Sequence, residues 1–270
     1  MGTVIHLGFS PCPNDTFIFA PMVQGMIDTE GIEFDYRMED VETLNHLAME
    51  GVLDMVKVSF HAFLHLSPTY RLFDSGSALG SGNGPLLISM KNFSIHELED
   101  RMVAIPGEYT TANLLLKIIA PAIHRKKILL FNEIEDAVLK DEADAGVIIH
   151  ENRFTYERRG LQKIADLGEA YEKLTLSPIP LGGIIAQKKL GTEILDTLNR
   201  ILHRSVAFAM ENPDKVMDFV RCHAQEMEDE VMMKHIRLYV NNFTLDLGQE
   251  GRKAISILFE LAHERGLIKS

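Results

Sequence analysis

The feature that most constrains this chain is a pattern that occurs twice along it, in which short apolar runs alternate with segments of helical periodicity. The first copy runs from Val4 to Gly8, through a helix from about Thr16 to Gln24, then Glu33 to Met38, a helix from Val41 to Glu50, and Met55 to Val58. A further helix is expected over Ser59 to Leu66. The order β-α-β-α-β demands a mainly parallel sheet with helices packed on it. Val41, Leu44, Leu47 and Ala48 recur at helical spacing, and Thr43 or Asp40 can cap that helix. The Gly-rich segment Gly76 to Pro85 reads as a loop and feeds the apolar run Leu86 to Met90. The second copy begins at Glu99. It places strands at Met102 to Ile105, Ile128 to Phe131 and Gly146 to Ile149, with helices over Thr110 to Ala120 and Ile134 to Lys140.

Such units in series predict two lobes. Extended segments near 86–92 and 179–187 are the expected crossing strands, so that residues 1–90 plus 187–270 form a larger lobe and 91–186 a smaller one. Beyond 187 the chain reads as helix, over roughly 192–211, 213–224, 228–241 and 247–265, and this tail is expected to pack on the first lobe. Asn212 before Pro213 suits a helix start, because proline at the first helical position sacrifices no hydrogen bond. The layout is that of an α/β, two-lobed, periplasmic-binding-protein-like type II fold, whose ligands lie in an inter-lobe cleft at the carboxyl ends of parallel strands. A single continuous doubly wound sheet is the alternative.

Composition narrows the partners. Among 270 residues, 46% are hydrophobic, enough for one large core or two modest ones. Acidic residues outnumber basic ones 39 to 27, a formal net charge of −12, which disfavours nucleic acid and anionic membrane surfaces. A small anion can still bind where backbone amides and one or two cations converge. The amino-terminal MGTVIHLGFSPCPNDTFIF lacks the features of a secretory signal, and no apolar stretch approaches the roughly 20 residues of a membrane span. Cys12 and Cys222 are far apart and form no C-x-x-C pair, which predicts a reducing, cytoplasmic compartment and no structural zinc. The apolar helices of the tail leave a homodimer open.

Strand ends that run into helix starts gather unpaired amides at one rim, and four of them stand out. Ser10-Pro-Cys-Pro-Asn-Asp-Thr16 is stiffened by two prolines, and Asn14, Asp15 or Thr16 can cap the helix that follows. Asn14 and Asp15 are its candidate ligand contacts. At Lys57-Val58-Ser59 an apolar strand runs out at a lysine and a serine; either they meet a ligand oxygen or the lysine merely snorkels to water. Pro106-Gly-Glu-Tyr-Thr110-Thr111 turns tightly into a helix with two hydroxyls, a place for a carboxylate or an ordinary threonine cap. Finally, Gly146-Val-Ile-Ile-His150 delivers a histidine at the end of a buried strand, ahead of the polar run Glu151-Asn-Arg-Phe-Thr-Tyr156. Imidazole titrates near neutrality, so His150 is the candidate general base, with a satisfied structural histidine as the alternative.

Other signals are weak. His61 and His65 have i, i+4 spacing but no third ligand nearby, and the Gly80-Ser-Gly-Asn-Gly84-Pro85 loop misses the G-x-G-x-x-G pattern at its last position.

Taken together, SPCPNDTFIF, EDVETLN, KVSFHAF, GSALGSGNGPLL, PGEYTTA and GVIIHENRFTY resemble the 1,4-dihydroxy-6-naphthoate synthases of the futalosine route to menaquinone, over nearly the whole chain. The resemblance implies a lyase that converts cyclic dehypoxanthine futalosine to 1,4-dihydroxy-6-naphthoate and dihydroxyacetone, without metal or organic cofactor. It places the base on His150 and substrate contacts on Lys57, Val58 and Ser59 and on Thr110 and Thr111. Proton abstraction next to a ketone also needs donors on the developing enolate oxygen, expected from the Ser59 or Thr110 region. A related expectation is that lobe closure excludes water. The alternatives are a chorismate dehydratase of the same pathway, for which a different amino-terminal signature is expected, and a non-catalytic small-anion solute-binding protein.

Overall fold

The computed structural model describes residues 3–224 and 228–268, with only the backbone of Glu151. In chain order the first elements are β1 (Thr3–Phe9), α1 (Pro13–Val23), β2 (Ile32–Met38), α2 (Val41–Met49), β3 (Met55–Ser59), α3 (Phe60–Leu66), β4 (Tyr70–Leu72) and β5 (Ala78–Gly80). Next come β6 (Leu86–Ser89), β7 (Val103–Ile105), α4 (Thr111–Ile119), β8 (Lys126–Ile128), α5 (Ile134–Leu139), β9 (Ala145–Ile148), β10 (Gln162–Asp166) and α6 (Leu167–Thr175). The chain closes with β11 (Ile179–Gln187), α7 (Thr192–Glu211), α8 (Pro213–His223), α9 (Asp229–Tyr239), α10 (Asn242–Leu245) and α11 (Gly248–Glu264).

Two compact units result: residues Met1–Leu79 with Gly182–Arg252, and Gly80–Leu181 with Lys253–Ser270. The first sheet has the order β2-β1-β3-β11-β4, with β5 on β11. Strands β1, β2 and β3 run parallel, while β11 is antiparallel to β3 and β4. The second sheet has the order β10-β6-β9-β7-β8, parallel through β9, β7 and β8 and antiparallel at β6 and β10. Hence the α/β class holds, in two separate sheets rather than one.

The units differ from expectation at β5 and α11. Leu86–Ser89 is not a crossing segment but an inner strand of the second sheet, and the chain passes between units within β5, β11 and α11. The Gly-rich loop contains β5, whose three buried residues are too few to show alternation. Strand β8 lies at 126–128 rather than 128–131, because Lys126 and Lys127 carry no apolar signal on a half-exposed edge. β4, β10 and α6 were not expected at all. The tail is broken once more than its periodicity predicts, by the short α10, where the Asn241 side chain accepts from the Phe243 amide.

Packing follows the apolar faces. Helix α1 is apolar almost all round, and all but its last residue are buried; such a helix must be surrounded, and α7, α8 and α9 of the same unit cover it. Phe9, Phe17, Phe19, Ile201, Leu202, Val206 and Val216 form the centre of this core. The second unit has its own smaller core, around Leu86, Ile88, Ala104, Ile134, Val138 and Ile148.

Candidate active site

In the first unit the carboxyl ends of β1, β2 and β3 form one rim, since Phe9 pairs with Met38 and Gly8 with Val56. Helices α1, α2 and α3 start there. None of Asn14, Asp15 and Thr16 caps α1: the cap position is Cys12 with Pro13 as first helical residue, which moves the helix start back from Thr16. Thr16 instead turns its hydroxyl to the Cys12 carbonyl, 3.1 Å away. Freed from capping, Asp15 collects hydrogen bonds from the Ser10 amide (3.2 Å), the Ser10 hydroxyl (2.8 Å), the Asn14 amide group (2.8 Å) and the Lys57 ammonium (3.1 Å).

Lys57 therefore does not snorkel. Its residue is 6% exposed, and its Nζ is held between Asp15 Oδ1 and the Gly76 carbonyl, both at 3.1 Å. Gly76 presents that carbonyl from φ +84°, a conformation that favours glycine. Asn14, with its amide hydrogens turned to Asp15, offers Oδ1 to His235 Nε2 at 2.8 Å, so that Nε2 carries the hydrogen. Ser59 caps the start of α3 in position, yet its amide donates to Asn45 Oδ1 (3.0 Å) and its Oγ accepts from Asn45 Nδ2 (3.4 Å). Val58 is fully buried inside the sheet, where it pairs with Gly183.

In the second unit β7 and β9 are parallel neighbours, Ala104 opposite Gly146, so the turn after Ile105 and the turn after Ile148 share a rim. Thr110 is the cap of α4: its Oγ1 accepts from the Asn113 amide at 3.3 Å and donates to the Gly107 carbonyl at 2.9 Å. Thr111 donates to the Leu181 carbonyl at 2.6 Å. Both hydroxyl hydrogens are thus given to the protein itself. What the α4 start offers an anion is its first-turn amides and the positive end of the helix dipole, rather than two hydroxyl donors.

His150 opens a short 3-10 turn, His150–Phe154, one residue after β9, and stands at φ +57°. Glu30, Asp141 and Leu176 also have positive φ, but Glu30 and Asp141 lie in turns and Leu176 closes α6 in the left-handed conformation. For a histidine at a strand end this conformation costs of order 1 kcal/mol or more, and such strain concentrates at functional sites. Its ring meets Phe131 edge to face, with centroids 5.1 Å apart. Phe131 follows β8 on the same rim and supplies an apolar wall to one side of the imidazole.

Sequence reasoning found the segments but not their wiring. Asn45, Gly76 and His235 complete the Lys57 cluster; His235 is 221 positions from Asn14, and no local signal links them. Among the described residues no group of three or more His, Cys, Asp or Glu could hold a metal ion; His61 and His65 simply face each other with ring centroids 5.9 Å apart.

A family model described as menaquinone biosynthesis matches residues 5–264. The chain belongs to this menaquinone-biosynthesis family. A 1,4-dihydroxy-6-naphthoate synthase of Thermus thermophilus is 43% identical over 263 residues, 97% of this chain and 95% of the relative. One from Streptomyces coelicolor is 39% identical over 269 residues, 98% of this chain and 94% of the relative. A solved protein of Archaeoglobus fulgidus is 33% identical, with a TM-score of 0.92 over 98% of both chains. A Candida albicans protein, described as having the generic periplasmic-binding-protein fold, aligns at TM-score 0.74 over 100% of this chain and 92% of its own, at 11% identity, which speaks for the fold alone. The menaquinone-biosynthesis chain is therefore built on a periplasmic-binding-protein-like fold. Among its described residues no helix is long and apolar enough to cross a membrane.

Proposed function

We propose that this chain is a carbon–carbon lyase that converts cyclic dehypoxanthine futalosine to 1,4-dihydroxy-6-naphthoate with release of dihydroxyacetone, acting in the cytoplasm. The observation that carries the reading is His150, a titratable ring held in a left-handed conformation at the strand-end rim where α4 also begins. Near-full-length relatives named as 1,4-dihydroxy-6-naphthoate synthases support the same product.

In this reading His150 removes a proton next to the substrate ketone. A carbon acid of that kind is too weak to ionise unaided, so the base must lie within hydrogen-bond reach and the enolate oxygen must meet donors. The first-turn amides of α4, at Thr110 and Thr111, receive an anionic oxygen of the substrate; the threonine hydroxyls shape that turn. Carbon–carbon cleavage follows, and aromatisation of the departing ring supplies driving force. Lys57, Val58 and Ser59, with Asn14 and Asp15, make further substrate contacts. Lys57 and Asp15 enter the reaction already paired, so they give shape and a fixed dipole rather than a mobile charge. A carboxylated small molecule suits a chain of net charge −12 better than a polyanion does.

The test is to mix the purified protein with cyclic dehypoxanthine futalosine and follow products by mass spectrometry beside His150→Ala. Release of dihydroxynaphthoate by the wild type, with a loss of about 100-fold or more in the folded variant, is the expected result. Return of the compound intact rejects the lyase reading, and chorismate is then the ligand to try.

A further inference from the structure

We propose that Arg153 is a positioning residue for His150, fastening the turn that carries the imidazole to the Gly-rich loop and to the start of α6. The inference rests on His150 being the base.

A histidine at φ +57° returns to ordinary backbone geometry unless its surroundings over-determine it. On its amino-terminal side the turn is fixed by the sheet, since Ile148 pairs with Leu86. The opposite end has no strand to hold it. Arg153, the fourth residue of the turn, supplies that anchor. Its Nη1 donates to the Gly84 carbonyl at 2.9 Å, and its Nη2 stands 3.7 Å from Asp166 Oδ2, with side chains only 12% and 13% exposed.

Both anchor points are themselves immobilised. Asp166 caps α6 with its other oxygen, which accepts from the Glu169 amide at 2.9 Å. Gly84 packs backbone to backbone on Gly168: a Cβ added at Gly168 would stand 2.6 Å from the Gly84 Cα. The Leu167 amide donates to the Pro85 carbonyl at 3.0 Å, tying the loop to the helix a second time. These contacts also explain the Gly80-Ser-Gly-Asn-Gly84-Pro85 motif, which fits no phosphate-binding pattern: here glycine serves close approach and a correctly placed carbonyl. A guanidinium reaches two acceptors with fixed, diverging donors, which a lysine ammonium reproduces poorly. Loss of the anchor lets the turn relax and shifts the imidazole, and misplacement by about 1 Å costs about 100-fold in rate.

Arg153→Met, Arg153→Lys, Asp166→Asn and His150→Gln are assayed in the full chain with cyclic dehypoxanthine futalosine, with rates normalised to sites counted by calorimetric titration with 1,4-dihydroxy-6-naphthoate. Arg153→Met is expected to lower kcat by about 30- to 100-fold with KM changed less than about three-fold, and Arg153→Lys to recover part of the loss. Should Arg153→Met not fold, Asp166→Asn keeps the α6 cap and is expected to lower kcat by about three- to ten-fold at unchanged KM. The inference is overturned by a kcat within about two-fold of wild type in the folded variants, or by a KM that rises while kcat holds, which would make Arg153 a substrate contact. Full activity in His150→Gln rejects the base assignment itself. Inactive His150→Gln beside fully active Arg153→Met rejects the role of Arg153 alone.

Discussion

Each unit holds a lysine at its sheet, buried in the first and half-buried in the second, and they are treated in opposite ways. Lys57 in the first unit lies against a carboxylate, Asp15, that is itself satisfied from several sides, and it also donates to the Gly76 carbonyl. Lys126 in the second unit donates to a neutral amide oxygen, Asn113 Oδ1, at 3.0 Å. Burial, with Lys117 nearby, pushes its ammonium down to about 8, against which Glu108 pulls only weakly. The same contrast runs through the two rims. That of the first unit is a closed network of matched donors and acceptors, whereas that of the second carries its titratable ring in a strained backbone. In the proposed reading the first rim binds and the second reacts, and the first need is met by satisfaction and the second by holding one group in place.

Breaking the closed network should have the largest effect on stability. Lys57→Met strands the Asp15 carboxylate, of which 3% of the side chain is exposed, and removal of one partner from a buried pair costs about 3–5 kcal/mol. Chemical denaturation of the variant beside wild type checks this. A loss below about 1 kcal/mol would show that the Ser10 and Asn14 donors alone suffice for Asp15 and that the pair is not what holds the rim.

The strained rim should respond the other way. Asn tolerates the left-handed region better than His, so His150→Asn is expected to abolish turnover while leaving stability unchanged or raised by up to about 1 kcal/mol. Thermal melts and the product assay on one preparation decide it. Destabilisation by more than about 1.5 kcal/mol would mean that the Phe131 contact, not the backbone, dominates the energetics of this turn.

How much of this was legible beforehand depends on range. Periodicity located β1, α2, β3, α4, α5 and β9 within a residue or two, because each is a local apolar pattern facing one core. It could not see β10 and α6, where Gln162, Lys163 and Glu169 to Lys173 leave few apolar markers on half-exposed elements. The site segments were found because strand-to-helix turns carry recognisable residues such as Pro, Gly, Thr and Ser. Their roles were not. That Thr111 gives its hydrogen to Leu181, or that Asp15 serves Lys57 rather than α1, is decided by where distant parts of the chain fall. The left-handed turn at His150 had no marker, since Gly or Asn would have announced it and histidine does not.

Lys126 offers the finest test of the contrast, because its effect on stability should change with pH. With its folded value near 8 and an ordinary value of 10.5, the unfolded chain holds more protons on this group between those limits. Stability from this group therefore rises with pH across that window, and below pH 8 the cost of burying the ammonium is present in full. Lys126→Gln keeps a donor for Asn113 without the charge. It should melt about 1–3 °C above wild type at pH 6.5, and the gain should fade as the pH rises from about 8 past about 10.5, above which the wild-type side chain becomes neutral in both states. Tyr70 and Tyr171, whose hydroxyls burial pushes up to about 12, destabilise both proteins equally at alkaline pH and cancel in the difference. A gain of the same size at both pH values would locate the effect in packing, and Lys126 would then be no counterpart to Lys57.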